Sequence, residues 1–134
     1  MGRVQIKIDW DMNYGAAPVN ENVACVVTGK TLNEVKANMA ESLRLHLESM
    51  REDGDVIPGE FEGQLEFDYL LTARALLHYV ENFVPRSALA EASGISTRQL
   101  GHYYTGEKHP RPQQIERIKN GIKAITAQLS ALSL

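Results

Sequence analysis

The sequence has little cysteine and no long hydrophobic run. Cys25 is the single cysteine among 134 residues, so a disulfide within the chain is excluded. One thiol is typical of a reducing compartment, where proteins seldom depend on disulfides. Residues 1–8 lack the apolar run of a signal peptide, and no stretch reaches the roughly 18 apolar residues that a bilayer-spanning helix needs. We therefore expect a soluble, cytoplasmic protein that does not enter a membrane.

Signatures of catalysis and metal binding are missing as well. The four histidines and one cysteine show no zinc-ligand spacing, and no glycine-rich phosphate loop precedes a Lys-Ser/Thr pair. Asp9 and Asp11 share a strand face, but two-metal phosphodiester cleavage needs several convergent carboxylates, and Glu48 and Asp68 do not complete such a set. We interpret the two aspartates as charges that discourage association between sheet edges. The sequence predicts a protein that is not an enzyme and holds no cofactor or metal.

Positive and negative charges are unevenly distributed along the chain. Residues 1–83 contain 7 Lys/Arg against 14 Asp/Glu, a balance of −7. Residues 84–134 contain 7 Lys/Arg against 3 Asp/Glu, a balance of +4. Because such asymmetry favours two functional halves, the basic half is a candidate for binding a polyanion. The overall net charge of −3 conceals this division.

The N-terminal half alternates between strand and helix patterns. Apolar and polar residues alternate over residues 3–9, which predicts a half-buried strand, and shorter strands are predicted over residues 16–19 and 23–27. Turn-forming residues separate the first two strands at positions 11–15. Alternation from Phe61 to Phe67 predicts a last strand. We expect a small antiparallel sheet.

One long helix interrupts these strands. Thr31 and Glu34 have the spacing of a capping box, in which the threonine side chain accepts from an amide of the first turn. The helix ends at residues 53–55 and carries an apolar stripe at spacings of three and four. The stripe consists of Leu32, Val35, Met39, Leu43, Leu47 and Met50. The predicted fold class is therefore α+β, with the sheet and this helix forming a first domain over residues 1–68.

A second, all-α domain is predicted over residues 69–134. The apolar face of its first helix includes Leu71, Ala75, Leu76, Tyr79, Val80 and Phe83, and Pro85 ends that helix. Gly94 and the segment 106–112 separate short helices. A final helix from about Gln113 is predicted to bury Ile115, Ile118, Ile122, Ile125 and Leu129.

Residues 87–100 have the pattern of two helices joined by a tight turn. A short helix with Leu89 leads to Gly94, a position where glycine enters the left-handed region at little cost. Ile95 is predicted to fill the crevice between the helices, and Ser96 with Gln99 forms a second capping box that starts the next helix. A short glycine-containing turn between two helices is typical of the helix-turn-helix that reads DNA.

The segment resembles the Cro/repressor-type (XRE-like) family over about 55 residues. The matching positions are Leu89, Ala90, Gly94, Ile95, Ser96, Leu100, Tyr103, Gly106, Pro110, Ile115 and Ile118. The resemblance implies that the second helix of the pair enters the major groove. It places Thr97, Arg98 and His102 on the groove-facing side, where Arg98 has the fork geometry to bind a guanine edge.

The same resemblance implies further contacts with the DNA backbone. Ser96 is expected near a phosphate, Arg86 at the backbone, and Gly101 where the protein main chain approaches closely. A basic loop is expected to contact phosphates and so to position the protein. That loop contains Lys108, His109 and Arg111. The exposed cations of the last helix, Arg117, Lys119 and Lys123, are interpreted as a solvated face.

The N-terminal half is similar to the HicB antitoxin family. Residues 25–35 match the family's entry into its helix, residues 45–48 and 52–58 continue the likeness, and residues 14–22 depart from it. The resemblance implies a partial RNase H-like fold that neutralises a small ribonuclease toxin, with the C-terminal domain repressing the shared operon. An acidic surface suits a basic partner of this kind. A solitary regulator without a toxin, and a protein-binding module with a non-reading helix-turn-helix, remain alternatives.

A homodimer or higher homo-oligomer is expected on double-stranded operator DNA. A single helix-turn-helix domain seldom binds DNA tightly. In a dimer, two DNA-reading helices about 34 Å apart match one turn of the duplex. The edge of the first strand is one candidate for the dimer interface. The other candidate is the last helix, with Ile122, Ile125, Leu129 and Leu132.

Overall fold

A four-stranded sheet organises the first part of the chain. In the computed structural model, which describes residues 2–133, the strands are β1 (Gly2–Asp11), β2 (Asn13–Pro18), β3 (Val27–Gly29) and β4 (Leu65–Leu71). Their order across the sheet is β3-β2-β1-β4. Together with five α-helices over the same described residues, the sheet confirms the predicted α+β class.

The sheet is mixed, and the prediction of an antiparallel sheet is wrong for its last strand. β1 pairs antiparallel with β2 but parallel with β4, with Val4 opposite Phe67 and Ile8 opposite Leu71. The long helix between β3 and β4 is the crossover that a parallel pair requires. Alternation of apolar and polar residues reveals which face of a strand is buried but not the direction of its neighbour.

Two local differences separate the observed strands from the predicted ones. The connection between β1 and β2 is shorter than the five-residue turn expected, because Met12 alone turns the chain with φ of 68°. The third strand occupies Val27–Gly29 rather than residues 23–27. Val23 and Cys25 are buried without belonging to a strand, and their burial explains the strand-like pattern.

Helix α1 (Leu32–Glu52) is confirmed in its position and in its cap. Thr31 Oγ1 accepts from the Glu34 amide at 3.0 Å, and Glu34 Oε1 accepts from the Lys30 amide at 3.4 Å. The buried positions of the helix are Leu32, Val35, Met39, Leu43 and Leu47. On β1, Val4, Ile6 and Ile8 are fully buried. Each such side chain contributes about 1.5–3 kcal/mol on removal from water.

The last strand begins and ends later than predicted. Phe61 is fully buried in a short 3-10 turn (Gly59–Phe61), so its apolar character did not indicate a strand. β4 continues to Leu71, a residue predicted to be helical, because Leu71 still pairs with Ile8. Helix α2 (Ala73–Val80) starts only after Thr72, whose Oγ1 accepts from the Ala75 amide at 3.2 Å.

The rest of the chain is helical. After α2 come α3 (Arg86–Ser93), α4 (Thr97–Thr105) and α5 (Pro112–Ser130). Contacts divide the chain into two units, Met1–Ala75 and Leu76–Leu134, whereas the sequence-based boundary stood between residues 68 and 69. The difference follows from the extension of β4 to Leu71.

The core of the second unit is formed by residues from all four helices. Its buried members are Leu77, Val80, Leu89, Ile95, Leu100, Tyr103, Tyr104 and Ile118. Two predictions for this core are wrong, because Phe83 is 71% exposed and Leu129 is 61% exposed. Helix α2 ends at Val80, so Phe83 does not continue its buried face, and Leu129 lies in the last turns of α5. Among residues 2–133, no helix combines the length and apolarity needed to cross a bilayer.

Candidate nucleic-acid interface

Helices α3 and α4 are joined by a short, well-defined turn. Gly94 ends α3 with φ of 71°, and its amide donates to Ala90 O at 3.0 Å. Because this conformation is left-handed, a residue with a Cβ is disfavoured there. Ile95 is buried between the helices, and Ser96 Oγ accepts from the Gln99 amide at 3.1 Å. The glycine turn and the serine cap expected from the sequence are both present.

Helix α4 has one buried face and one outward face. Leu100, Tyr103 and Tyr104 are buried in the core of the second unit. Thr97 and Arg98 are exposed in the first turn of the helix, immediately after the Ser96 cap. The buried residues therefore anchor the side of the helix opposite Arg98, and leave the Arg98 guanidinium accessible to a ligand.

Arg86 and Gly101 lie side by side. An added Cβ at Gly101 would come within 3.5 Å of Arg86 Nη1, an ordinary contact distance. The Arg86 guanidinium lies 4.1 Å from the centre of the Tyr104 ring, and its Nη2 donates to Glu81 Oε1 at 3.2 Å. Burial and the Glu81 carboxylate raise the pKa of Tyr104, and Arg86 opposes this in part. Arg86 thus links α3 to α4, and Gly101 borders that cation.

His102 is half-buried and forms a close contact with an acidic residue. Its Nδ1 lies 2.6 Å from Glu107 Oε2, while its carbonyl accepts from the Lys108 amide at 3.2 Å. Gly106, with φ of 79°, ends α4 in the left-handed conformation and allows the chain to double back in this way. The Glu107 carboxylate therefore adds negative charge beside a residue that was predicted to face DNA.

The three residues of the predicted basic loop line one concave surface. Lys108, His109 and Arg111 are exposed and border a cleft of about 790 Å³ between the end of α4 and the start of α5. Arg117, predicted to be merely solvated, lines the same cleft. The other lining residues are Gln99, Tyr103, Gln113 and Gln114. No carboxylate belongs to this set, so the cleft has the charge expected of an anion site.

Sequence reasoning missed a hydrogen-bonded bridge at the floor of this cleft. Tyr103 Oη accepts from Gln99 Nε2 at 2.9 Å and from Gln114 Nε2 at 3.4 Å. The bridge joins the first turn of α4 to the first turns of α5. It therefore holds the helix that carries Thr97 and Arg98 against the residues that line the basic cleft. The spacing of four residues from Gln99 to Tyr103 was the available signal, because such residues face each other on a helix.

Asp9, one of the carboxylates considered for catalysis, has structural partners. Asp9 Oδ1 accepts from Thr72 Oγ1 at 2.7 Å and from the Trp10 amide at 2.8 Å. Burial favours a raised pKa, but these hydrogen bonds, with Lys7 and Arg74 nearby, outweigh it and hold the pKa of Asp9 below its usual value. Within residues 2–133, no group of three or more His, Cys, Asp or Glu side chains could hold a metal ion.

Comparison with known proteins gives no relative of this chain. No protein-family model, no curated protein and no solved structure matches it.

Proposed function

We propose that this protein is a sequence-specific DNA-binding repressor in which α3 and α4 form a helix-turn-helix of the Cro/repressor type. One observation carries the proposal. The first turn of α4 exposes Thr97 and Arg98, and the face of the helix opposite Arg98 is buried. A helix anchored in this way can enter the major groove with its N-terminal turn leading. A repressor of this kind acts in the cytoplasm, where its DNA lies.

In the proposed complex, α4 supplies base contacts and the cleft supplies backbone contacts. The five guanidinium donors of Arg98 match the O6 and N7 acceptors of guanine, which is worth about 1–3 kcal/mol of discrimination. The cleft is bordered by side chains that can donate to phosphate oxygens, which are Lys108, His109, Arg111 and Arg117. Phosphate contacts fix the register of the protein but carry no sequence information.

Fluorescence anisotropy tests this proposal with DNA from upstream of the protein's own gene and with scrambled DNA as competitor. The native chain is compared with Arg98→Ala and with Lys123→Ala, which removes an equal charge from an exposed position of α5. Each protein is titrated at two salt concentrations, because release of counterions makes DNA affinity fall as salt rises.

The proposal predicts salt-sensitive preference of the native chain for its own upstream DNA. Arg98→Ala is expected to lose about 1–3 kcal/mol of that preference, a factor of roughly 5 to 150, because its base contact is gone. Lys123→Ala is expected to keep it. Equal affinity of the native chain for the specific and the scrambled DNA would contradict the repressor and favour a protein-binding role.

An antitoxin role is the second candidate function, as the HicB resemblance implies. The observation that favours it is the balance of −7 over residues 1–83, since a small RNA-cleaving toxin carries a basic surface. In this hypothesis residues 1–68 form a partial RNase H-like domain that binds the toxin, and the protein autoregulates its operon.

Co-expression separates the antitoxin from a solitary regulator. The partner to test is a small basic ribonuclease encoded by a short open reading frame beside the gene for this protein. Restored growth of cells that express the toxin, together with co-purification of the two proteins, would support the antitoxin. Absence of such a reading frame, with specific DNA binding intact, would favour the solitary regulator.

A further inference from the structure

β4 is an edge strand of the sheet in the first unit. Among residues 2–133, β4 has one hydrogen-bonded neighbour in the sheet, β1, and it is seven residues long, whereas β3 at the opposite edge has three. An edge strand presents a row of N–H and C=O groups, and proteins commonly shield it with charged side chains, proline or a bulge. The two charged residues of β4, Glu66 and Asp68, are both paired with Arg3. Residues 65–71 contain no proline, glycine or lysine.

The hydrogen bonds at the two ends of β4 show which of its backbone groups face outward. The Gly2 amide donates to Gln64 O at 3.2 Å, and the Thr72 amide donates to Ile8 O at 2.9 Å. Bonding residues alternate along a parallel ladder, so the even-numbered positions of this segment face β1. The odd-numbered positions direct their N–H and C=O groups to the outer edge. These are Leu65, Phe67, Tyr69 and Leu71.

The side chains of the same four residues form an apolar strip that is incompletely covered. They lie opposite Gly2, Val4, Ile6 and Ile8 in register and therefore on the same face of the sheet. The three apolar partners on β1 are fully buried, yet all four β4 residues remain half-buried. A groove of about 260 Å³ lies beside the strip, lined by residues that include Ala40, Leu47, Leu65 and Phe67.

We propose that β4 pairs antiparallel with β4 of a second copy of this chain, across a two-fold axis at Asp68. The strand is self-complementary about that position. Phe67 then lies opposite Tyr69 of the other copy, and Leu65 lies opposite Leu71, so every outward backbone group meets a partner. Aromatic pairs across neighbouring strands are stabilising, and the pairing joins two four-stranded sheets into one.

Charge on the opposite face of the strand fits the same axis. The pairing brings two Asp68 carboxylates together, and like charges directly opposite each other are unfavourable. Arg3 compensates for this, because its Nε donates to Asp68 Oδ2 at 3.2 Å, its Nη2 bonds to Asp68 Oδ1, and its Nη1 donates to Glu66 Oε2 at 2.5 Å. The hydrogen bond from Arg3 also keeps the pKa of Asp68 below its usual value. Each copy thus brings a cation to the axis.

Disulfide trapping tests the axis in the full-length chain. In a Cys25→Ser background, Asp68→Cys places two thiols directly opposite each other, and mild oxidation is expected to give a disulfide-linked dimer. Leu70→Cys is the matched control, because residue 70 of one copy faces residue 66 of the other. Its two thiols are then separated by four residues, or roughly 13 Å along the strand. Equal crosslinking of both variants, or none with Asp68→Cys, would overturn the proposal.

Sedimentation equilibrium gives a second, independent readout. Phe67→Lys is expected to halve the mass of the native assembly, because it places a charge in the apolar strip. Leu45→Lys, at a leucine of α1 that is 52% exposed, is expected to leave the mass unchanged. Circular dichroism establishes that both variants fold. A monomeric native chain, or an equal mass for all three proteins, would contradict the interface, and neither result depends on DNA binding.

Discussion

At the scale of single residues, the Asp9 carboxylate holds two segments of the first unit together. Asp9 receives hydrogen bonds from Thr72 and Trp10, and so connects the end of β1 to the residue that precedes α2. Hydrogen bonds to an ionised carboxylate favour its charged form, and the pKa of Asp9 is lowered accordingly. The charge at this position therefore stabilises the folded state.

The lowered pKa of Asp9 has a consequence for stability at acid pH. Its contribution is fully present above the unfolded-state value, near 3.8, and is lost as pH falls through the lower folded-state value. Asp9→Asn is expected to destabilise the protein at neutral pH and to lose less stability between pH 5 and 2 than the native chain.

Urea denaturation at several pH values measures this effect. Asp11→Asn is the control, because it neutralises an exposed carboxylate of the same strand. Parallel stability curves for the native chain and Asp9→Asn across that pH range would show that Asp9 contributes nothing through its charge.

At the scale of secondary-structure elements, Gly121 determines how closely α5 approaches α3. An added Cβ would lie 3.0 Å from the Ser93 amide nitrogen and 3.1 Å from Ser93 Cα, so α5 contacts the backbone of α3 at this point. Helix α3 leads into α4 through Gly94. The close packing of α5 against α3 therefore also helps to fix the position of α4 within the second unit. A glycine inside a helix otherwise costs about 1 kcal/mol relative to alanine.

Gly121→Leu is expected to destabilise the second unit by about 1–3 kcal/mol, the usual cost of overpacking. Asn120→Leu is the matched control on an exposed position of the same helix, and its effect is expected to stay within about 0.5 kcal/mol. Thermal unfolding followed by circular dichroism gives both values. If Gly121→Leu were as stable as the native chain, α3 and α5 would be able to move apart without loss of folding stability.

The elements that the sequence predicted best are those with strong local signals. Each of these signals depends on residues a few positions apart in the sequence. They are the caps at Thr31 and Ser96, the apolar stripe on α1 and Gly94 at the end of α3. Contacts between segments that are distant in the sequence were harder to predict. The parallel direction of β4 depends on the crossover through α1, and the Gln99–Tyr103–Gln114 bridge depends on how α5 packs on α4. The direction of β4 leaves no periodicity in the sequence, and the spacing of Gln99 and Tyr103 indicates only the part of the bridge that lies within α4.

At the scale of the whole molecule, the charge division has a counterpart in the two units. The acidic residues belong mostly to the unit with the sheet, and the basic cleft belongs to the helical unit. The sequence predicts a dimer interface at the edge of the first strand or at the last helix. β1 instead lies between β2 and β4, so both of its edges are occupied, and β3 and β4 are the edge strands of the sheet formed by the described residues.

The central claim, that Arg98 on α4 reads a base, is tested most directly by measuring affinity for a complete set of single-base substitutions in the operator. The native chain and Arg98→Ala are compared at one fixed salt concentration. The account predicts that the native chain loses about 1–3 kcal/mol when one particular guanine is replaced, and that Arg98→Ala loses its discrimination at that position alone. A variant that weakens binding equally at every position, with the same base preferences as the native chain, would show that Arg98 contacts only the backbone.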